Sequence, residues 1–233
     1  MRKILGMAKP LPLTLSLALS LGLLAGSLHA APPKKEVAPA PAPAAAPAAP
    51  QTPEERLNAM KANITASVAA GKKASFFCAN CHGEDGNSKY PEVPNLAGQN
   101  PAYLLEQIRK FGSGQRKDEF MQGLIKVLSE DERVQISLFY SEAKVVPSAA
   151  DPALVKRGQE TYGKLCVRCH GDEARGSDKI ARLAGQQKEY LIRSITRYRD
   201  KTGERIDPLM QIATAPLNND EIKAVAAFLS NKR

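Results

Sequence analysis

The four cysteines of this chain fall into two copies of one short pattern, Cys-x-x-Cys-His. The copies are Cys78-Ala79-Asn80-Cys81-His82 and Cys166-Val167-Arg168-Cys169-His170. On a helix the two cysteines share one face, so their sulfurs can form thioethers with the two vinyl groups of one porphyrin. The adjacent histidine then presents its imidazole to the iron as the proximal ligand. The sequence therefore predicts two covalently attached haem c groups.

Two other chemistries use the same residue types. A redox dithiol needs only one Cys-x-x-Cys, and the histidine after it would be incidental. A structural zinc site could take four cysteines, or two cysteines and two histidines, from both copies. Such a site would join segments 88 positions apart, each of which already carries a complete haem-type motif. Covalent haem is the favoured interpretation, with zinc and dithiol sites as the alternatives.

The ligand on the other side of each iron can be narrowed by counting residues. The chain has three histidines, of which His29 lies in the first thirty residues while His82 and His170 serve as proximal ligands. Bis-histidine ligation is therefore excluded, and the sixth position holds methionine, another side chain, or nothing. Met121 and Met210 are the predicted ligands, because they lie 39 and 40 positions after the two histidines, in what we expect to be loops.

Met60 is the remaining methionine outside the first thirty residues. It precedes its haem motif, has no equivalent in the second half, and lies in a stretch typical of a surface helix. The repeat therefore does not select Met60 as an iron ligand, and a methionine is in general more often core filler than a metal ligand. With both axial positions filled, the irons have no vacancy for a small-molecule substrate, which favours electron transfer over an enzymatic reaction.

The haem motifs belong to a longer internal duplication. Leu96-Ala97-Gly98-Gln99 recurs 87 positions later as Leu183-Ala184-Gly185-Gln186, and Tyr103-Leu104 recurs as Tyr190-Leu191. Ser129 with Glu132, and Asn218 with Glu221, have the spacing of a capping box and predict the start of a terminal helix in each half. Each half should thus contain a helix before or through the haem motif, a middle helix and a terminal helix.

The duplication also predicts the fold class and its boundaries. The middle helices are expected from Pro101 to about Phe111 and from about Lys188 to Asp200. No stretch alternates with the period of a strand, so the fold class is all-α. We expect two tandem haem domains, residues 54–146 and 147–233.

The first thirty residues have the pattern of an export signal. A basic start precedes a leucine-rich run from Leu11 to Leu24, and a small-residue cleavage site ends at Ala30. Residues 31–53 follow as an Ala/Pro-rich linker without the large apolar residues of a core. Because c-type haem is attached outside the bacterial cytoplasm, the expected location is the periplasm. The protein is soluble there if the signal is cleaved and tethered to the inner membrane if it is retained.

The two halves of the chain differ in net charge. Residues 54–146 hold 12 basic and 12 acidic side chains, whereas residues 147–233 hold 16 and 11. The excess of basic side chains in the second half could steer docking onto an acidic protein surface or be an ordinary solvated surface, and nucleic acid is not expected to bind.

The carbonyl of Pro94, or of Ala181 in the second half, is placed to accept a hydrogen bond from the proximal imidazole; alternatively, Pro94 only shapes a turn.

Taken together, these residues resemble the dihaem cytochrome c4 family. The paired Cys-x-x-Cys-His motifs, the repeated Leu-Ala-Gly-Gln followed by Tyr-Leu, and the late methionines carry the resemblance over about residues 65–233. It implies two class I cytochrome c domains, each a few helices wrapped around a covalent haem. The domains would be related by a pseudo-twofold axis, with the propionate edges of the haems close together. Ala181 in place of a proline and the long linker depart from the family pattern.

Three functions are compatible with this resemblance. The leading one is a periplasmic carrier of single electrons in a respiratory chain, from a quinol-oxidising complex to a terminal oxidase. The second is an electron-accepting subunit of a periplasmic dehydrogenase of the flavocytochrome type. The third, a haem peroxidase, would need an open coordination site, and two well-placed methionines argue against it.

Overall fold

The structure is a computed structural model that describes residues 52–203 and 205–233. The predicted export signal and residues 31–51 of the predicted linker lie outside this range. All described residues belong to one compact unit. The helices of the first half are α1 (Pro53–Lys61), α2 (Ile64–Ala74), α3 (Phe76–His82), α4 (Pro101–Gly112), α5 (Glu119–Lys126) and α6 (Glu130–Glu142). Those of the second half are α7 (Pro152–Leu165), α8 (Val167–His170), α9 (Lys188–Asp200), α10 (Pro208–Thr214) and α11 (Asn219–Asn231).

The described residues contain no strand, and their one isolated β-bridge pairs Arg116 with Arg205. The all-α prediction is therefore confirmed. The middle helices α4 and α9 also begin and end close to the predicted positions. Pro101 occupies the first turn of α4, where its fixed φ suits a helix and its missing N–H is not needed. Helix α9 ends at Asp200 and is capped by Lys201, which adopts a left-handed conformation with φ of 56°.

Both predicted capping boxes are present at the terminal helices. At α6 the backbone N–H of Glu132 donates to Ser129 Oγ, and the backbone N–H of Ser129 donates to the Glu132 carboxylate at 2.8 Å. At α11 the backbone N–H of Glu221 donates to Asn218 Oδ1, and the Asn218 N–H donates back to Glu221, both at 2.9 Å. Each box satisfies two N–H groups that the first helical turn leaves without an intrahelical partner.

Each terminal helix packs against the helix that leads into a haem motif, α6 on α2 and α11 on α7. A glycine allows the close approach in both halves. A β-carbon on Gly71 would lie 2.0 Å from the Gln135 carbonyl oxygen, and one on Gly158 would lie 2.0 Å from that of Ala224. These crossings fix the haem motifs relative to the core of each half.

A methyl group at the second crossing is expected to be strongly destabilising. Gly158→Ala would force α7 away from α11, because the obstructing atoms belong to backbone and cannot rotate aside. We expect a loss of about 3 kcal/mol in the free energy of unfolding of the haem-loaded protein, measured by denaturant titration. Gly163→Ala is the matched control, since nothing lies within 4 Å of a β-carbon there, and a better helix former should stabilise α7 by about 0.5–1 kcal/mol. Equal effects of the two substitutions would contradict the close crossing.

The segment between α6 and α7 contacts the repeated Leu-Ala-Gly-Gln sequence of both halves. A β-carbon on Gly98 would lie 2.5 Å from one methyl group of Val145, and one on Gly185 would lie 2.2 Å from the other. Both glycines have positive φ, of 62° and 71°. The Gly98 N–H donates to the Tyr140 carbonyl, and the Gly185 N–H donates to that of Leu229, each at 2.8 Å. Glycine is needed at both positions because a positive φ strains any other residue and because Val145 leaves no room for a β-carbon.

Candidate haem sites

The cysteines lie on or beside two short helices, α3 and α8, each of which directly follows a helix that carries a close-crossing glycine. Cys78 and Cys81 lie on α3, while Cys166 caps α8 and Cys169 lies within it. No disulfide joins any of the four. Burial raises the pKa of Cys78, and it raises that of Cys166 to about 11. Such thiols are protonated at neutral pH, unlike the low-pKa thiolate of a redox dithiol.

The alternative of a shared zinc site finds no support in the geometry. Across the described part of the chain, no three His, Cys, Asp or Glu side chains are grouped so that they could hold a metal ion. The two cysteine pairs instead lie in separate halves of the molecule.

The two histidines predicted as proximal ligands lie at the backbone carbonyls that the sequence analysis named. His82 Nδ1 lies 2.8 Å from the Pro94 carbonyl oxygen, and His170 Nδ1 lies 3.0 Å from that of Ala181. Because a carbonyl can only accept, each Nδ1 must carry the proton and donate it, which leaves Nε2 as a free ligand atom. Both side chains are buried, and this burial lowers their pKa values. Neutral, oriented imidazoles are the form that binds iron.

The predicted axial methionines lie in helices, not in loops, and this part of the prediction is wrong. Met121 lies on α5 and Met210 on α10. Each helix begins at an aspartate cap: Asp118 Oδ1 accepts from the Met121 N–H at 2.9 Å, and Asp207 Oδ1 accepts from the Met210 N–H at 3.1 Å. An aspartate three residues before each methionine, followed in the second half by Pro208, was the available sequence signal. The helix start gives each methionine a defined backbone position.

One continuous cavity runs through both halves and brings the candidate ligands together. His82 and Met121 line it in the first half, and His170 and Met210 line it in the second. The four cysteines and a mainly apolar wall complete it; that wall includes Leu104, Ile108, Leu191, Ile195, Val225 and Leu229. Two thiols, an imidazole nitrogen, a thioether and apolar walls in each half form a donor set that fits a covalent haem. Met60 instead packs against a buried cluster, called here the Leu57 cluster, of Leu57, Leu105, Val134 and Leu138.

The repeated glutamines join the two halves, a role that the sequence analysis did not assign. The Arg182 N–H donates to Gln99 Oε1 at 2.7 Å, and Gln99 Nε2 donates to the Arg182 carbonyl at 2.9 Å. The Asn95 N–H donates to Gln186 Oε1 at 2.7 Å, and Gln186 Nε2 donates to the Asn95 carbonyl at 2.9 Å. Since both the glutamines and their partners are 87 positions apart, the contact is reciprocal. It is the kind of self-complementary contact that a pseudo-twofold axis produces.

A second missed feature is an arginine five residues before each methionine. Arg116 and Arg205 form the isolated β-bridge between the halves, and both line the cavity. Arg116 Nη2 donates to Tyr190 Oη at 3.3 Å, and Arg205 Nη2 donates to the same oxygen. The repeated pattern Arg-x-Asp-x-x-Met was the sequence signal for these residues.

Comparison with known proteins agrees with two haem-binding halves. The cytochrome c family model matches residues 68–127 and 155–232. The chain is 32% identical over 190 residues to cytochrome c4 of Azotobacter vinelandii, covering 72% of this chain and 90% of that protein. It is 31% identical to the thiosulfate dehydrogenase electron acceptor of Thiomonas intermedia, covering 71% and 82%.

A solved structure shares the fold as well. The crystal structure of reduced recombinant cytochrome c4 from Pseudomonas stutzeri matches with a TM-score of 0.66 and 31% identity, covering 71% of this chain and 98% of that one. With the two candidate ligand sets and the family match in agreement, the chain belongs to the dihaem cytochrome c4 family and is an electron-transfer protein, not an enzyme, with two covalently attached haem c groups.

Proposed function

We propose that this protein carries single electrons through the periplasm, from a quinol-oxidising complex to a terminal oxidase. Cys78 and Cys81 anchor one haem, and Cys166 and Cys169 anchor the other. His82 with Met121, and His170 with Met210, are the axial ligands. The observation that carries the proposal is the repetition of one complete ligand set in both halves of a single cavity.

The surroundings of each iron suit reversible electron transfer. Haem iron, when bound, supplies a one-electron couple. The carbonyls of Pro94 and Ala181 hold the imidazoles in one orientation, so the proximal ligands need not reorganise. A neutral thioether on the other side favours the ferrous state and raises the potential relative to a second imidazole. Ligands on both sides leave no position for a substrate.

The surface beside the cavity suits brief contact with partner proteins. Phe76, Ile206 and Ile212 do not line the cavity, and 72–78% of each residue is exposed. Phe76 lies two residues before Cys78, and Ile212 lies two residues after Met210. Exposed apolar side chains at such positions support docking of another redox protein close to each haem.

The periplasmic location rests on the export pattern of the first thirty residues and on the chemistry of c-type haem attachment. In residues 52–203 and 205–233, no helix is both long and apolar enough to cross a membrane. Cleavage of the signal gives a soluble carrier, and its retention gives one tethered to the inner membrane.

An equilibrium redox titration of the haem-loaded protein, combined with EPR of its ferric form, tests the proposal. We expect two reversible one-electron steps per chain and two low-spin haems, because each iron has two protein ligands. Oxidation by oxidase-containing membranes should follow reduction by a quinol-oxidising complex. A high-spin ferric fraction, or steady turnover of peroxide, would contradict the assignment of a saturated carrier.

A second candidate is the electron acceptor of a periplasmic dehydrogenase. It is favoured by the similarity to the thiosulfate dehydrogenase electron acceptor of Thiomonas intermedia. Reduction by a purified thiosulfate dehydrogenase at a higher second-order rate than by the quinol-oxidising complex would select it. Co-migration of the two proteins in gel filtration would further identify the cytochrome as a fixed subunit.

A further inference from the structure

A buried tyrosine ring packs beside the first cysteine of each haem motif, but the two halves supply it from different helices. In the first half it is Tyr140 of α6, and Cys78 packs against the same buried cluster. In the second half it is Tyr162 of α7, which shares a cluster with Leu229 and Cys166. Leu229 lies 89 positions after Tyr140, the offset between the capping boxes of the terminal helices, so it is the counterpart of Tyr140. The duplication is therefore broken at this position.

The two tyrosine hydroxyls have different surroundings. Tyr162 does not line the cavity, and its hydroxyl donates to the carbonyl of Gly171. Tyr140 does line the cavity, and none of its side chain is exposed to solvent. Its Oη has no hydrogen-bond partner among the described residues. Leu229 lines the cavity at the equivalent position with an apolar side chain. The first half thus presents a hydroxyl to its haem site where the second presents a hydrocarbon.

The Tyr140 hydroxyl is a neutral donor. Burial raises the pKa of Tyr140, so the phenol keeps its proton at neutral pH. Ser75 lies close enough to oppose part of that rise, but its own Oγ donates to the Lys72 carbonyl at 3.0 Å. Buried polar groups are almost always hydrogen-bonded. A buried donor on the wall of a cofactor site therefore points to an acceptor on the cofactor itself.

We infer that the Tyr140 hydroxyl donates a hydrogen bond to the haem of the first half, at the porphyrin edge that Cys78 anchors. That edge offers a thioether sulfur and the π face of the porphyrin, both of which are weak acceptors. Because Cys78 packs against the cluster of Tyr140, attachment to this cysteine brings the edge to the hydroxyl. The haem of the second half meets Leu229 instead. The inference rests on covalent haem attachment, and it takes from the proposed function only the axial ligands.

Such a contact changes the potential of one haem in a direction that can be worked out. A donating hydroxyl directs the positive end of its dipole toward the porphyrin. Reduction removes one positive charge from the haem, so the dipole destabilises the ferric state more than the ferrous state and raises the midpoint potential. Water does not screen this dipole, because the side chain is fully buried. Two otherwise equivalent ligand sets thereby acquire different potentials.

The test is the midpoint potential of each haem in Tyr140→Phe, measured by equilibrium redox titration. The substitution removes one oxygen and keeps the ring. The potential of the first haem should fall by at least a threefold change in its reduction equilibrium, which is about 28 mV for a one-electron couple. The second haem should change less than twofold. Adding Met210→Ala to the same chain assigns the two steps, because that substitution alters the second haem.

Tyr162→Phe is the matched control, since it removes a hydroxyl that donates to a backbone carbonyl outside the cavity. It should lower the denaturant midpoint of unfolding and leave both potentials within twofold. Ser75→Ala should also leave both potentials within twofold, because its hydroxyl is bonded to backbone.

Three results would overturn the contact: an unchanged or higher potential of the first haem in Tyr140→Phe, an equal fall in both haems, or the same fall in Ser75→Ala. The first of these together with a higher denaturant midpoint would identify the hydroxyl as an unpartnered group without a function toward haem. Low-spin EPR signals from both haems in Tyr140→Phe separate these failures from a failure of the proposed axial ligands.

Discussion

A chain with both Cys166 and Cys169 replaced by alanine is expected to hold one covalent haem and to lose the ordered fold of its second half. Without thioethers the porphyrin is held only by its iron ligands and by non-covalent contacts with the cavity wall. The second half contributes fewer than 90 residues, and a domain of that size has little core of its own. Its cofactor therefore supplies much of its folding free energy.

The packing around the cavity explains why this loss should be large. Leu191, Ile195, Val225 and Leu229 are buried in one cluster and also line the cavity. In the loaded protein their cavity-facing sides would form part of the apolar wall around the porphyrin. Without it they must collapse into the space or lose those contacts, and either outcome is destabilising by several kcal/mol in a close-packed core.

Haem content and helicity can be measured on the same sample. Haem absorbance per chain should fall by half, and the mass of the chain should correspond to one attached group. Far-UV circular dichroism should show partial loss of helix, while the first half keeps its haem spectrum. The matched variant Cys78→Ala with Cys81→Ala should give the converse result. Two retained haems, or an unchanged helix content, would show that the thioethers are not what fixes haem to this half.

Local sequence rules succeeded where a helix end or a ligand contact is determined by a few neighbouring residues. The capping boxes of Ser129 and Asn218 and the proline start of α4 are of this kind. The carbonyl partners of the histidines were also predictable, because Pro94 and Ala181 occupy equivalent positions in the duplication. A repeat lets one half serve as a check on the other.

The same rules failed where the outcome depends on how the halves meet. Gln99 and Gln186 were visible as repeated residues, but their partners lie 83 and 91 positions away and are brought close only by docking of the halves. The arginine pair is a similar case. Placing the methionines in loops was a different error, because the aspartate caps at Asp118 and Asp207 were present and local. Short helices that pack on a cofactor show too few turns for hydrophobic periodicity to reveal them.

Replacing either axial methionine is expected to change one haem and leave the other as it was. Met121→Ala removes the proposed axial methionine sulfur of the first half, and Met210→Ala removes that of the second half. In either variant the absorption due to methionine-to-iron charge transfer should fall to about half its normal intensity, since each haem contributes one such ligand. The double variant should lack it, because the two sites lie in different halves and their effects should add.

The chemistry of the altered haem should change together with its spectrum. An iron that has lost its thioether becomes five-coordinate or binds water, so a high-spin ferric signal should appear in EPR. Its midpoint potential should fall, because the neutral sulfur that favours ferrous iron is gone. The open position should also bind added imidazole or cyanide, whereas the unaltered haem of the same chain should not.

Met60→Leu is the control for this experiment. It removes a thioether that packs against the Leu57 cluster rather than one that lines the cavity, and it keeps similar volume. It should leave the charge-transfer absorption, the EPR spectrum and both potentials unchanged. Full intensity in Met121→Ala or Met210→Ala would mean that another residue ligates that iron. Loss of intensity in Met60→Leu would mean that the repeat has been matched to the wrong methionine. Because the duplication supplies one expected ligand in each half, the two single variants test the pairing independently, and only symmetrical losses are consistent with it.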